Sequence, residues 1–491
     1  MLKRIGAEES GEFKAVASGT LPSGKPVAVN AAGTVSVVAA SGAAATKGSQ
    51  VTIKSISPSE GLTATFDSNS NKVVVAYCDA SNSSYGTAIV GTVSGTSISF
   101  GTAVVFNSAN TQKIGATFDS NSNKVVVVYS VSSSLRAIVG TVSGTSISFG
   151  SYTEFDSGGT SNPIKAVFDS TNNKVVVAYQ DNGNSQYGTA IVGTLSGTSI
   201  SFGSATVFES YESKLMEMCF DSTNGKVVVP YELGGSYSDG RCAIGTVSGT
   251  SISFGSGVNF NGTNNVSGGC SAYDPVNQKV VIAFSDRGND EAGTAVVGTV
   301  SGTSISFGAT VVFESGVGQN TVPRSAVYDS TADKIVISYE NESVNYAVMN
   351  AFGTVSGTSI TFTDPNFEIE ANTYPVFNII VYDPNSNKLV NVYDDYNGGA
   401  GTFTAATVST TDTLGTNLTS ENYIGMSKGG AVANTKGATV DIIGSVNDEQ
   451  SGLTAGQQYF VQKDGTIGTT AATPSVLAGT AISATELVVK T

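Results

Sequence analysis

Whatever chemistry this chain performs, it performs without histidine, which is absent from its 491 residues. That removes the usual general base, the usual zinc ligand and the side chain that most readily titrates near neutrality. Ser-His-Asp and Cys-His arrangements are excluded with it. Paired carboxylates need no His and can cleave a glycosidic bond. Asp394-Asp395 and Asp286 with Asp290 are the pairs to consider, but both fall in loops, where acids are ordinarily solvated. The Asp-box of sialidases needs a Trp, and the chain has none. No GxxxxGK[ST] loop is present. Runs such as Asp67-Ser68-Asn69-Ser70-Asn71 place oxygen atoms as a calcium loop does, but Lys72 follows instead of Gly and no Glu closes the loop. They read as tight turns capped by Asp. No catalytic residue, metal site or cofactor is expected.

Cys78, Cys219, Cys242 and Cys270 are scattered without CxxC spacing. They read as small buried apolar residues of a chain made in a reducing cytoplasm, with a Cys219–Cys270 disulfide as the alternative. The formal net charge is −15, from 39 acidic residues against 24 Lys plus Arg. A field of that sign repels phosphate, so nucleic acid is not an expected partner. The opening Met1-Leu2-Lys3-Arg4 lacks the apolar core of a signal peptide, and no apolar run is long enough to insert in a membrane.

The elements that would carry any site are repeated. SGTSISF recurs at Ser94–Phe100, Ser143–Phe149, Ser196–Phe202, Ser248–Phe254 and Ser301–Phe307, and a sixth copy, Ser356–Phe362, carries Thr361. An aromatic-Asp pair followed by Lys five residues on begins at Asp67, Asp119, Asp169, Asp221, Asp274, Asp329 and Asp383. These define seven repeats, 50 to 55 residues apart. The second repeat predicts strands over Ile114–Asp119, Lys124–Tyr129 and Arg136–Val142, with a fourth beginning at Ser146–Gly150. KVVVVY is apolar on both faces, as a strand is when both faces of its sheet are covered. With no helices in view, the covers must be other sheets, stacked about 10 Å apart around an axis.

The expected fold is therefore all-β: a seven-bladed β-propeller of four-stranded blades over residues 47–411. The seventh repeat lacks its SISF strand and leaves the pattern after Gly401–Val408. Val51–Ile56 is expected to supply the missing strand and remove the open edge; an open β-solenoid is the alternative. Residues 1–46 and 412–491 resemble each other. Leu21, Gly24, Val29, Gly33, Thr34 and Val35 recur at the same spacing as Leu453, Gly456, Val461, Gly465, Thr466 and Ile467. Each set reads as a hairpin, and the two arms are expected to form one small β-domain with the propeller inserted in it. Ala40–Ser49 reads as a linker, and Gly479–Ser483 and Glu486–Lys490 as the last strands.

The C-terminal SGLTAGQQYFVQKDGTIGTTAATPSVLAGTAISATELVVK resembles the carboxyl-terminal modules of virion proteins of tailed bacteriophages, notably marine ones, and VASGTLPSGKPVAVNAAGTVSVV their amino-terminal partner. The repeats GTAIVGTVSGTSISFG and FDSNSNKVVVVY are similar to those of phage tail-fibre or surface-decoration components. The resemblance implies a non-enzymatic virion protein at the particle surface, made in the host cytoplasm. It implies other virion proteins as partners through the terminal domain, and a homo-oligomer.

Comparing the copies, the Asp-x4-Lys and Ser-Gly-Thr turns hardly vary, whereas the loops from second to third strand and the connections from fourth to first do. Both variable sets fall on one face. Variable loops on a rigid scaffold are the usual layout for recognition. Tyr beside Asp and Asn suits sugar hydroxyls and apolar sugar faces. Tyr85, Tyr187, Tyr237, Arg241, Arg287 and Tyr346 are the candidate ligand-binding residues, and host-surface glycan the candidate ligand. A decoration protein without a ligand and a polysaccharide-degrading enzyme are the alternatives.

Overall fold

The computed structural model describes all residues except 1–5, 9–10, 39, 42–44, 55–60, 235–237, 316–319, 363–365, 396–401, 410–414, 420, 431, 463–464, 472–474 and 491. Among the described residues there are only strands, turns and three short 3-10 turns. The chain divides into two compact units, Ala45–Thr410 and Met1–Ala44 with Thr411–Thr491.

In the larger unit each repeat forms an antiparallel sheet in chain order. The second runs Gln112–Asp119, Lys124–Val131, Ser134–Ser143 and Ser146–Phe149. The two turn motifs explain why the strands stop where they do. In all seven copies the Asp carboxylate accepts backbone N–H bonds two and three residues on, as Asp119 does from Asn121 and Ser122 at 2.9 and 3.0 Å. The Asp carboxylate that resembles a calcium ligand is thus engaged by the turn itself. Two lysines of this motif donate to threonines of the third strand, Lys226 to Thr246 Oγ1 at 2.8 Å and Lys334 to Thr354 Oγ1. In Ser-Gly-Thr the glycine sits at φ near +60°, the first central position of a type II′ hairpin turn.

The fourth strand differs from expectation. It is split, with Ser146–Phe149 and Thr153–Asp156 both pairing with Ser134–Ser143. The break comes at the glycine after SISF because a neighbouring sheet presses there. A Cβ on Gly203 would lie 1.9 Å from the Thr250 carbonyl oxygen of the next Ser-Gly-Thr turn, and Gly101, Gly255 and Gly308 meet Thr145, Thr303 and Thr358 in the same way. Sheet packs on sheet through a recurring aromatic contact as well. Phe106 meets Tyr129, Phe155 meets Tyr179, Phe208 meets Tyr231 and Phe313 meets Tyr339, with ring centroids 5.2–5.6 Å apart. The second strands, such as Lys124–Val131, are buried on both faces, so these interfaces form one apolar cluster after another. In the third and fourth repeats the strand Thr206–Leu215 pairs with both sheets and joins them.

The innermost strands lie side by side in order, and Asn378–Asp383 of the last repeat packs in turn against Leu62–Asp67 of the first. The last sheet is completed from the N-terminal side. Thr46–Lys54 pairs antiparallel with Thr402–Ser409, from Ser409↔Thr46 to Phe403↔Lys54. This strand starts earlier than the expected Val51–Ile56 and takes in the end of the segment read as a linker. Gly48 explains the shift: it stands in for the glycine after SISF, its missing Cβ facing the Thr96 carbonyl, which accepts from Ser49 N–H at 2.9 Å.

In the smaller unit the two arms share a sheet: Glu12–Val16 pairs with Gly437–Asp441, and Pro26–Val29 with Tyr423–Lys428. The matched hairpins are alike in detail. Asn30 N–H bonds to Thr34 O at 2.8 Å, and Gln462 N–H to Thr466 O at 2.9 Å, over glycines at φ +75° and +78°. The last strands are Leu477–Ala481 and Leu487–Val489, paired with each other. All four cysteines are buried free thiols, so the Cys219–Cys270 bridge is not formed.

Candidate functional site

The loops from second to third strand share a frame. Ala80–Asn82, Asn182–Asn184 and Glu342–Val344 are single 3-10 turns. Asp79 and Asn341 cap theirs by accepting from Ser81 and Ser343 N–H at 3.1 and 2.9 Å. Two left-handed residues then enter the third strand: Ser83-Ser84, Ser185-Gln186 and Asn345-Tyr346, matched by Asp290-Glu291 in the fifth repeat, at φ 50–63°.

Register separates the candidate tyrosines. Tyr85 and Tyr187 pair with Asp79 and Asp181, where the later repeats have Ala292 and Ala347. Tyr346 stands one residue earlier, in the place of Ser84, Gln186 and Glu291. It stacks on Tyr374, a residue the sequence reading did not select, with centroids 4.2 Å apart and rings 25° from parallel. Both tyrosines have positive φ, 55° and 50°. That conformation costs an aromatic residue about 1–3 kcal/mol. It is held by the connection Asn372–Thr373 folding back: Asn372 N–H donates to Asn345 O at 2.9 Å and Thr373 Oγ1 to Tyr346 O at 2.8 Å. Tyr374 is 49% exposed.

Arg241 is tied to Asp239 at 3.7 Å, and its Nε is buried without a partner among the described residues. Tyr237 lies outside the described residues. Arg287 is exposed, and it belongs to a second feature that the sequence reading missed. Where the inner strands begin, at the variable-loop end, they surround a cavity of about 610 Å³. Lys113, Lys165, Lys214, Arg287 and Arg324 line it, against the carboxylates of Glu217 and Glu232. Lys214 is paired with Glu232 at 3.0 Å, and Arg324 with Glu340 at 2.8 Å. Glu217 turns away from the opening: Oε2 accepts from Ala326 N–H at 2.9 Å and Oε1 from Ser325 Oγ at 3.2 Å. Burial pushes the Glu217 carboxyl up and the Lys165 ammonium down, and their mutual attraction opposes both shifts. The Lys165 ammonium and the Arg287 guanidinium have no hydrogen-bond or ion-pair partner among the described residues.

The acids considered for catalysis are placed as structural groups. Asp394 is buried and accepts from Phe377 N–H at 2.8 Å, and Asp286 from Gly288 N–H at 3.0 Å. Asp290 and Asp395 are not buried with them. A different carboxylate, Asp181, is raised by burial first and by Asp156 second. Asp156 accepts from Gly158 N–H at 2.7 Å and from the Tyr179 hydroxyl at 3.3 Å.

No family model and no curated protein matches this chain. Among solved structures it is similar to the BP39L lectin from Burkholderia pseudomallei, at 12% identity over 72% of this chain and 97% of the lectin, with a TM-score of 0.51. A protein of unknown function from Dyadobacter fermentans aligns over 73% of this chain and 99% of its own, at 11% identity and a TM-score of 0.45. A leech intramolecular trans-sialidase aligns over 72% and 68%, at 10% identity and a TM-score of 0.45. At 12% identity the likeness to the lectin is one of fold alone: the chain is an all-β protein of the β-propeller kind.

Proposed function

We propose that this chain is a seven-bladed β-propeller of a bacteriophage virion surface, a tail-fibre or receptor-binding adhesin that holds host-surface glycan on its variable-loop face. The terminal β-domain attaches it to other virion proteins, and the assembled form is a homo-oligomer. The Tyr346–Tyr374 stack carries the glycan reading: two aromatic rings held on left-handed backbone, with Tyr374 open to solvent. Strained backbone and an exposed aromatic ring at a loop tip suit the stacking of a sugar's apolar face better than they suit folding alone. The likeness to a lectin fold agrees with this reading, and the phage-like terminal segments support the virion setting.

The test is adsorption. Purified protein should bind susceptible cells and block infection, and Tyr346→Ala with Tyr374→Ala should abolish both while leaving the melting temperature unchanged or raised. Protein that neither adsorbs nor competes is a decoration component, and density spread over capsid or tail shaft in whole virions would place it so. Release of new reducing ends from host glycan would instead make it a polysaccharide-degrading enzyme, with Asp156 and Asp181 the first acids to replace.

A further inference from the structure

The mouth enclosed by the inner strands is electrostatically unlike the rest of the chain. A protein of net charge −15 places five of its 24 cationic side chains around one cavity, with two carboxylates among them. Those two carboxylates already have donors: Glu217 from Ala326 N–H and Ser325 Oγ, and Glu232 from Lys214. The Lys165 ammonium and the Arg287 guanidinium have no hydrogen-bond acceptor or ion-pair partner among the described residues, and burial depresses the Lys165 ammonium. An ammonium whose neighbouring carboxylate, Glu217, is already engaged by Ala326 N–H and Ser325 Oγ is costly to keep. An oxyanion arriving from outside relieves that cost, and a cavity of about 610 Å³ has room for a sugar residue that carries one.

We propose that this mouth is an anion subsite, in which Lys165 and Arg287 hold the carboxylate of an acidic sugar while the loop face holds its neighbours. The proposal deepens the glycan reading and rests on it for its biological role. Arg287 at the rim meets the acid first, and Lys165 pairs with it further in. Glu217, turned onto the sixth repeat's backbone, sets the depth to which an anion can enter.

The test is a ligand-observed NMR titration of the full chain with glucuronate, glucose and glucose 6-sulfate. Glucuronate should bind at least about tenfold more tightly than glucose, and added salt should weaken it. Arg287→Gln, at an exposed position, should remove most of that preference without disturbing the fold. Lys165→Met combined with Glu217→Gln removes both charges together and should also abolish it, whereas Glu217→Gln alone should tighten glucuronate binding. Equal binding of glucuronate and glucose, or a preference untouched by both Lys165 and Arg287 variants, overturns the subsite. Preference for the sulfate over the carboxylate overturns the choice of acid. The two readings fail separately: neutral host oligosaccharide bound without acid preference sinks the subsite alone. Lys165-dependent glucuronate binding by protein that never adsorbs to cells sinks the adhesin alone.

Discussion

The aromatic residue near the end of each second strand is the most informative single position. Tyr179, Tyr231 and Tyr339 donate their hydroxyls to Asp156, Glu209 and Glu314 on the preceding sheet, at 3.3, 2.8 and 2.8 Å. Where that acid becomes Asn261, the facing aromatic is Phe284, which has no hydroxyl to place. The hydroxyls of Tyr77 and Tyr129 are buried without partners among the described residues. Tyr231→Phe should therefore cost about 1.5–3 kcal/mol in chemical denaturation, the worth of a bond to a charged acceptor, and Tyr77→Phe should cost nothing or stabilise. The thiols give a second check at this scale. Burial pushes Cys219 up to about 12 and Cys242 and Cys270 well above the ordinary range. A thiol-specific reagent at mildly alkaline pH should leave these three unmodified in the native protein and label them once it is denatured. Rapid native labelling would mean that these interfaces open.

At the scale of elements, what repeats was legible and what varies was not. The Asp turn, the Ser-Gly-Thr hairpin and the doubly buried second strand recur at fixed spacing, so their strands could be drawn from sequence. The split in the outer strand could not, because its cause is the next sheet's threonine carbonyl rather than anything local. Gly203→Ala tests that cause. Its Cβ would lie 1.9 Å from Thr250 O, so the substitution should destabilise by about 1–3 kcal/mol in denaturant titration, as overpacking does. The exposed Gly452, which has nothing within 4 Å of its Cβ position and a φ of +70°, is a control in which only backbone strain is added. The linker reading of Ala40–Ser49 failed for a related reason: Thr46-Lys47-Gly48 becomes a strand only because the seventh sheet lacks one.

For the whole molecule, the candidate site shows how far comparison among internal copies reaches. It found the variable face and selected Arg287 and Tyr346, which the structure places at the mouth and in the aromatic stack. It grouped Tyr346 with Tyr85 and Tyr187, which occupy a different position in the loop frame. It missed the lysines of the mouth because they keep no common register. Lys113, Lys165 and Lys214 stand six, four and seven residues before their turn aspartates, so no alignment of repeats stacks them. Only the convergence of the inner strands brings them together.

The strand that completes the last sheet also sets how the larger unit answers force. Thr46 and Ser409 are partners at the same end of an antiparallel pair. Tension applied between these two residues peels the strands apart one bond after another instead of shearing many at once. In a pulling experiment the first yield should come at low force and release the clasp alone, while the sheets behind it, loaded only after it opens, give way in later steps. A domain held this way has a weak seam at the point where both chain ends leave it, and an intact body beyond.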